Sequence, residues 1–181
     1  PFGAHNPGQR ELPFCIHTRY STQQAILEDI VASLYAQGMR KLIILSGHGG
    51  NNFKGMIRDL AFVYPDFLII AADWFSIVPP KDYFEAVVDD HAGESETSVM
   101  MHYHPELVNL DEAGDGESKP FAIPSLNEKV GWAPRHWDKA TVDSGVGNPK
   151  KASAEKGERY MKPVVEKLSK LFTEVGQGSL Y

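Results

Sequence analysis

Two short stretches of this 181-residue sequence hold residue types that do chemistry. Gly47-His48-Gly49-Gly50-Asn51 sets an imidazole among glycines, which let the backbone turn sharply and leave space around the ring for a ligand or substrate. Asp89-Asp90-His91-Ala92-Gly93-Glu94-Ser95-Glu96-Thr97-Ser98 gathers carboxylates and a second imidazole with no Lys or Arg among them. Carboxylate and imidazole are the donors that hard and borderline divalent cations prefer, and a cation would relieve the repulsion among the acids. Plainer readings exist for both. The first can be a glycine turn with a hydrogen-bonded histidine, and the second a helix N-terminus capped by Asp, Ser, Thr and Glu. Capping explains one or two acids, not a histidine together with so dense a set. Glu94 and Glu96, two apart, cannot share a helix face and are expected to differ in role.

The elements that must position these stretches follow from periodicity. Ser21 and Gln24 resemble a capping box, Ile26, Leu27, Ile30, Val31, Leu34 and Tyr35 repeat at helical spacing, and Gly38 supplies a stop, which predicts a helix over 22–37. Leu42-Ile43-Ile44-Leu45 reads as a buried strand ending in the glycine loop, and Phe53, Met56, Ile57, Leu60 and Ala61 resume a helix. Pro65-Asp66 breaks that helix before a second buried strand, Phe67 to Ala72. Helix, strand, loop, helix, strand is the grammar of an α/β layer fold, in which ligands bind beyond the carboxyl ends of strands. Ser95 to His102 reads as helix, residues 109–150 as mostly loop with Trp132 and Trp137 as anchors, and Tyr160 to Phe172 as one face of a final helix containing Pro163. With no repeat or second core, one domain over 1–181 is the economical reading.

Charge and composition narrow the partners. Lys plus Arg number 18 and Asp plus Glu 24, a formal charge of −6 that argues against nonspecific binding to nucleic acid or an anionic membrane. From Asp82 to Glu117 there are eleven acids and no Lys or Arg, which reads as a solvated acidic face or, more sharply, as a cation site. No apolar run approaches the roughly 18 residues of a membrane span. The single cysteine, Cys15, sits in an apolar stretch that suggests burial, and it fits a reducing, cytoplasmic setting.

GHGGN after a buried strand, with HAGESETS some forty residues later, resembles the creatininase family of metal-dependent amidohydrolases. Trp74 after the second strand and the Gly145-Val146-Gly147-Asn148-Pro149 turn before the last helix agree. The resemblance implies an α/β layered fold with a mixed, mainly parallel sheet flanked by helices. It implies hydrolysis of a C–N bond in a cyclic amide or related small molecule by a metal-activated water, with zinc as the first candidate and manganese or iron as others. Carried over by position, His48 and Glu94 are the expected metal ligands and His91 the proton-transfer group. Glu96 is counted with the catalytic residues in a supporting or helix-start role. Trp74, Gly49, Gly50 and Asn51 are expected to face substrate. His48 and Glu94 are expected to point into one pocket.

The resemblance also draws ligands from an early Glu-x-His pair and an aspartate, which Pro1 to Pro13 does not supply, so an N-terminal strand and helix are expected to precede this chain. His5 and His17 do not match that spacing. His102 and His104 fall at a helix end beside Pro105 and are expected to cap it. A homo-oligomer is expected, as is common in the family. Two readings of other classes stand beside this one. The chain could be a catalytically silent structural or binding subunit, or a dinucleotide-binding enzyme, although Asn52 stands where the third glycine of that fingerprint belongs. A serine hydrolase is disfavoured because no G-x-S-x-G elbow occurs.

Overall fold

The structure is a computed structural model that describes residues 6–179 and residue 181. His5, weighed above as a substitute ligand, lies outside the described residues. The chain forms two compact units, the first built from Phe14–Ile77 and Val164–Tyr181 and the second from Asn6–Pro13 and Val78–Pro163.

In the first unit, helix α1 (Tyr20–Ala36) leads to strand β1 (Lys41–Ser46), helix α2 (Lys54–Val63) and strand β2 (Leu68–Asp73). The expected order is present, with α1 starting two residues early. Its N-cap is Arg19 with no side-chain cap, so the Ser21-Gln24 capping box does not form. Gly38 takes φ +87 just after the helix, the left-handed turn that a residue without Cβ adopts freely. Strands β1 and β2 are parallel in the register Lys41↔Leu68 to Ser46↔Asp73, so both chains leave the same carboxyl edge. Leu27 and Val31 of α1, Met56 and Leu60 of α2, and Phe67 and Ile69 form the buried core, which is what the helical and strand periods require. Cys15 is exposed, contrary to the burial expected of it, because its neighbours Phe14 and Ile16 are themselves largely exposed and give it no apolar cover.

In the second unit, strand β3 (Asp89–His91) pairs antiparallel with β4 (Val146–Gly147) and runs into helix α3 (Glu94–Tyr103). The long region 109–150 is mainly irregular, as expected, with short helices α4 (Pro124–Asn127) and α5 (Trp137–Ala140). Trp132 is 85% exposed and anchors nothing by burial, whereas Trp137 is partly buried. His104 is the C-cap of α3 and its Nδ1 lies 3.2 Å from Glu106 Oε1, a local terminus role as expected.

Two glycines permit a close crossing here. Gly147 has φ +117, and a Cβ on it would sit 2.7 Å from the Val88 carbonyl oxygen and 3.0 Å from Asp89 Cα. Gly116, φ +63, accepts a hydrogen bond from Gly147 N at 2.9 Å, and a Cβ there would strike the Gly147 carbonyl.

The last helix, α6 (Ala154–Gln177), contributes residues to both units and runs through Pro163. Tyr160, Val164 and Leu168 are its buried hydrophobic side chains, four residues apart on one stripe. Among the described residues, no helix is long and apolar enough to cross a membrane.

Candidate active site

In the first unit, the glycine loop hangs from the end of β1. Ser46 is buried, and its hydroxyl accepts from Asn51 Nδ2 at 3.4 Å while Asn51 N donates to the His48 carbonyl at 3.1 Å. Gly50 N donates to His48 Nδ1 at 2.9 Å. An imidazole nitrogen that accepts carries no proton, so the neutral ring holds its proton on Nε2. His48, Gly49 and Gly50 are all exposed. Trp74 opens a short 3-10 turn at the end of β2 and meets Phe75 edge-on, ring centroids 6.0 Å apart at 86°. Parallel pairing therefore brings His48, Gly49, Gly50, Asn51 and Trp74 to one sheet edge, with Gly49 facing the Phe75 ring.

The second unit holds His91, Glu94 and Glu96, and each acid of the dense segment has its own partner. Asp89 reaches forward to the start of α3 and accepts from Ser95 N, 3.1 Å to Oδ2, satisfying an orphan amide of the first turn. Burial pushes its carboxyl above the usual aspartate value, against the pull of the Ser95 hydrogen bonds. Glu94 is fully buried. Its Oε2 accepts from Glu85 N at 2.9 Å and Ala86 N at 2.8 Å, and its Oε1 accepts from Lys156 Nζ at 2.5 Å. Glu96 folds back to accept from Ala92 N at 2.7 Å, and the same Oε2 lies 3.9 Å from His91 Nδ1. Ala92, between that histidine and the helix, is held at φ +50, a region costly for a residue with a Cβ.

Four acids of the stretch are paired with bases supplied from residues 135–156. Asp90 pairs with Arg135 at 2.7 Å, Asp115 with Lys150 at 2.5 Å, and Glu85 with both Lys151 and Lys156 at 2.9 Å. Those two lysines, Lys151 first, hold the exposed Glu85 carboxyl at about 2. The Glu94 hydrogen bond first, then that of Glu85, raises the Lys156 ammonium above its ordinary value. For Glu85, Asp90, Glu94 and Asp115 the facing cations are thus the protein's own side chains, while Asp82, Asp111, Glu112 and Glu117 are exposed.

This bears on metal binding. Glu94, the carboxylate expected to ligate, is committed to an ammonium and two backbone amides, while Glu96 is the partly exposed one beside an imidazole. Among the described residues, no group of three or more His, Cys, Asp or Glu side chains is placed to hold a metal ion. A catalytic zinc takes three protein ligands, so these residues do not by themselves make up such a centre.

The family model Creatininase, creatinine amidohydrolase, matches residues 1–172. This chain belongs to the creatininase family. A Mycobacterium ulcerans relative, described as a mycofactocin precursor peptide peptidase, is 33% identical over 131 residues, which is 70% of this chain and 45% of the relative. The creatinine amidohydrolase of Pseudomonas putida is 24% identical over 187 residues, 95% of this chain and 67% of that protein. The creatininase-family chain thus spans less than half the length of the first of these relatives. Among solved structures, a provisionally named creatinine amidohydrolase from Bacteroides fragilis is 84% identical with a TM-score of 0.97, covering 100% of this chain and 72% of that one. A mutant creatininase of Zn-Zn type, at 22% identity and a TM-score of 0.70, covers 94% of this chain and 72% of its own. The fold is therefore the creatininase fold, with helices, strands and a parallel pair as expected.

Sequence reasoning missed the partners of the creatininase motif. Lys156, Arg135 and Glu85 lie outside it, and nothing in their local sequence marks them. Trp137 stands out in the sequence as a loop anchor or a pocket-lining residue, with anchoring favoured, and nothing there marks its contact with His91.

Proposed function

We propose that this chain carries part of the active site of a creatininase-type amidohydrolase that cleaves the C–N bond of a small cyclic amide. The observation that carries this is the His91-Glu96 pair at the start of α3, where a carboxylate fixed by the Ala92 amide lies 3.9 Å from the imidazole Nδ1. In that arrangement Glu96 orients the ring from its Nδ1 side, and Nε2 is the atom assigned to pass a proton to the leaving nitrogen. Trp74, Gly49, Gly50 and Asn51, together at the carboxyl edge of β1 and β2, are proposed to contact substrate.

Dependence on a divalent metal, zinc first, is part of the proposal and draws support from the solved Zn-Zn type creatininase. In the second unit the partly exposed Glu96 is favoured over the buried Glu94 as a carboxylate donor, and in the first unit His48 is proposed as an imidazole donor. Among the described residues such a set is not complete. A second substrate class, an amide within a peptide, is favoured by the relative described as a peptide peptidase. The chain is also proposed to act as a homo-oligomer, with a small molecule rather than nucleic acid or membrane as its ligand.

The test is turnover of creatinine and of a peptide panel with zinc, manganese or iron added, alongside metal content. Metal-dependent hydrolysis that falls at least about hundredfold in His91→Gln supports the reading, that being the usual scale of acid–base catalysis. No turnover and no stoichiometric metal would leave the silent-subunit reading instead.

A further inference from the structure

The side chain of Trp137 lies against His91, ring centroids 5.0 Å apart at 69°, the edge-to-face arrangement that aromatic quadrupoles favour. Arg135 places its guanidinium carbon 4.7 Å from the indole centroid, and its Nη1 is 2.7 Å from Asp90 Oδ2. Asp90 immediately precedes His91, so this tether leaves strand β3 and returns to it through three side chains. The tryptophan backbone is held as well: its amide donates to the Pro7 carbonyl at 3.0 Å and its carbonyl accepts from Thr141 Oγ1 at 2.7 Å.

We infer that Trp137 is a positioning residue for His91, and that Arg135 and Asp90 hold the indole in place against the imidazole; the role in turnover rests on the reading of His91 as the proton-transfer group. At 3.9 Å, Glu96 attracts the imidazole from one side but does not close a hydrogen bond that would fix its plane. An aromatic wall on a second side opposes tilting of the ring. A guanidinium stacked on the indole does for Trp137 what the indole does for the imidazole, since a cation over an aromatic face resists tilting of the ring. Proton transfer depends steeply on alignment, and a displacement of about 1 Å costs about a hundredfold in rate.

The experiment uses the full chain labelled with 13C and 15N at histidine, with His91→Gln assigning the His91 signals. Trp137→Leu is expected to move the His91 ring signals toward those of free imidazole, while Trp137→Phe, which keeps an aromatic wall, holds most of the ring-current shift. Arg135→Met is expected to move them in the same direction by less. With creatinine as the turnover probe, Trp137→Leu lowers kcat by about tenfold or more with KM within about twofold, and Trp137→Phe recovers most of it. His91 signals that stay in place in both Trp137→Leu and Arg135→Met overturn the proposal. So does a rise in KM at unchanged kcat, which would make Trp137 a substrate contact. If His91→Gln turns over creatinine as fast as the unsubstituted chain, the catalytic reading of His91 fails, and the ring signals still decide whether Trp137 sets its orientation.

Discussion

Lys156 Nζ sits 2.5 Å from Glu94 Oε1, and that carboxylate has no exposed surface. The pair joins the start of α6 to the start of α3, and the other oxygen of Glu94 satisfies the amides of Glu85 and Ala86. A buried charge of this kind costs several kcal/mol when stranded. Removing either partner leaves the other in a place built for an ion pair. Glu94→Ala is therefore expected to destabilise by about 3 kcal/mol or more, and Lys156→Met by a similar amount. The double variant should lose less than the sum. Chemical denaturation of the four proteins checks this, and additive losses would show the two side chains to be uncoupled.

Glu85 gives a pH signature. Its folded carboxyl, at about 2, lies below its ordinary value of 4.5, so its contribution is fully present above 4.5 and disappears as the pH falls through about 2. Stability curves of the native chain and Glu85→Gln should be separated near neutral pH and converge below about 2. Equal spacing of the curves across pH 5 to 2 would contradict the lysine contacts.

Asp89 runs the other way. Burial raises its folded carboxyl, so the charged form is disfavoured by folding, and its unfavourable part grows as pH rises through the folded value. Asp89→Asn keeps an acceptor for Ser95 N and discards the charge, so it is expected to leave stability unchanged or higher at pH 7. Asp89→Ala loses the cap and about 1 kcal/mol. Thermal melts at pH 7 and pH 4 distinguish them, since only the native chain should gain relative to Asp89→Asn on acidification.

Gly147→Ala places a Cβ 2.7 Å from the Val88 carbonyl oxygen at φ +117. Strain and overpacking together are expected to cost about 3 kcal/mol, or roughly 6–12 °C in Tm for a chain of this size. Gly116→Ala should behave alike, and Gly176→Ala, where a Cβ meets nothing, should not. A Tm for Gly147→Ala within about 1 °C of the native value would contradict the close crossing.

The sequence was legible wherever neighbours in the chain are neighbours in space. Leu27, Val31, Met56 and Leu60 announce their helices by period, and the core of the first unit is made of them. Order and type of α1, β1, α2 and β2 followed, with errors confined to ends such as the absent cap at Ser21. In the candidate site the sequence marked the residues but not their distant partners. Two apart in HAGESETS, Glu94 and Glu96 are expected to differ in role, and the structure gives them different partners. What separates them is Lys156, 62 residues from Glu94, and no period or motif reports a contact at that range. The exposed Cys15 and Trp132 show the same limit from the apolar side, since residue type states a preference and only the packed chain says whether cover exists.

The separation between the acids and their bases also sets an order of events during synthesis. Asp82 to Glu117 emerges before Arg135, Lys150, Lys151 and Lys156 have been made, and until they arrive it is a polyanion whose members repel one another. At about 5–20 residues per second, the nascent segment waits seconds for its counterions. Native pairing of β3 with β4 has the same dependence, because Val146 and Gly147 also come late. This unit closes from its carboxyl side, and a ribosome stalled short of Lys156 would present an open acidic strand to the cell's chaperones.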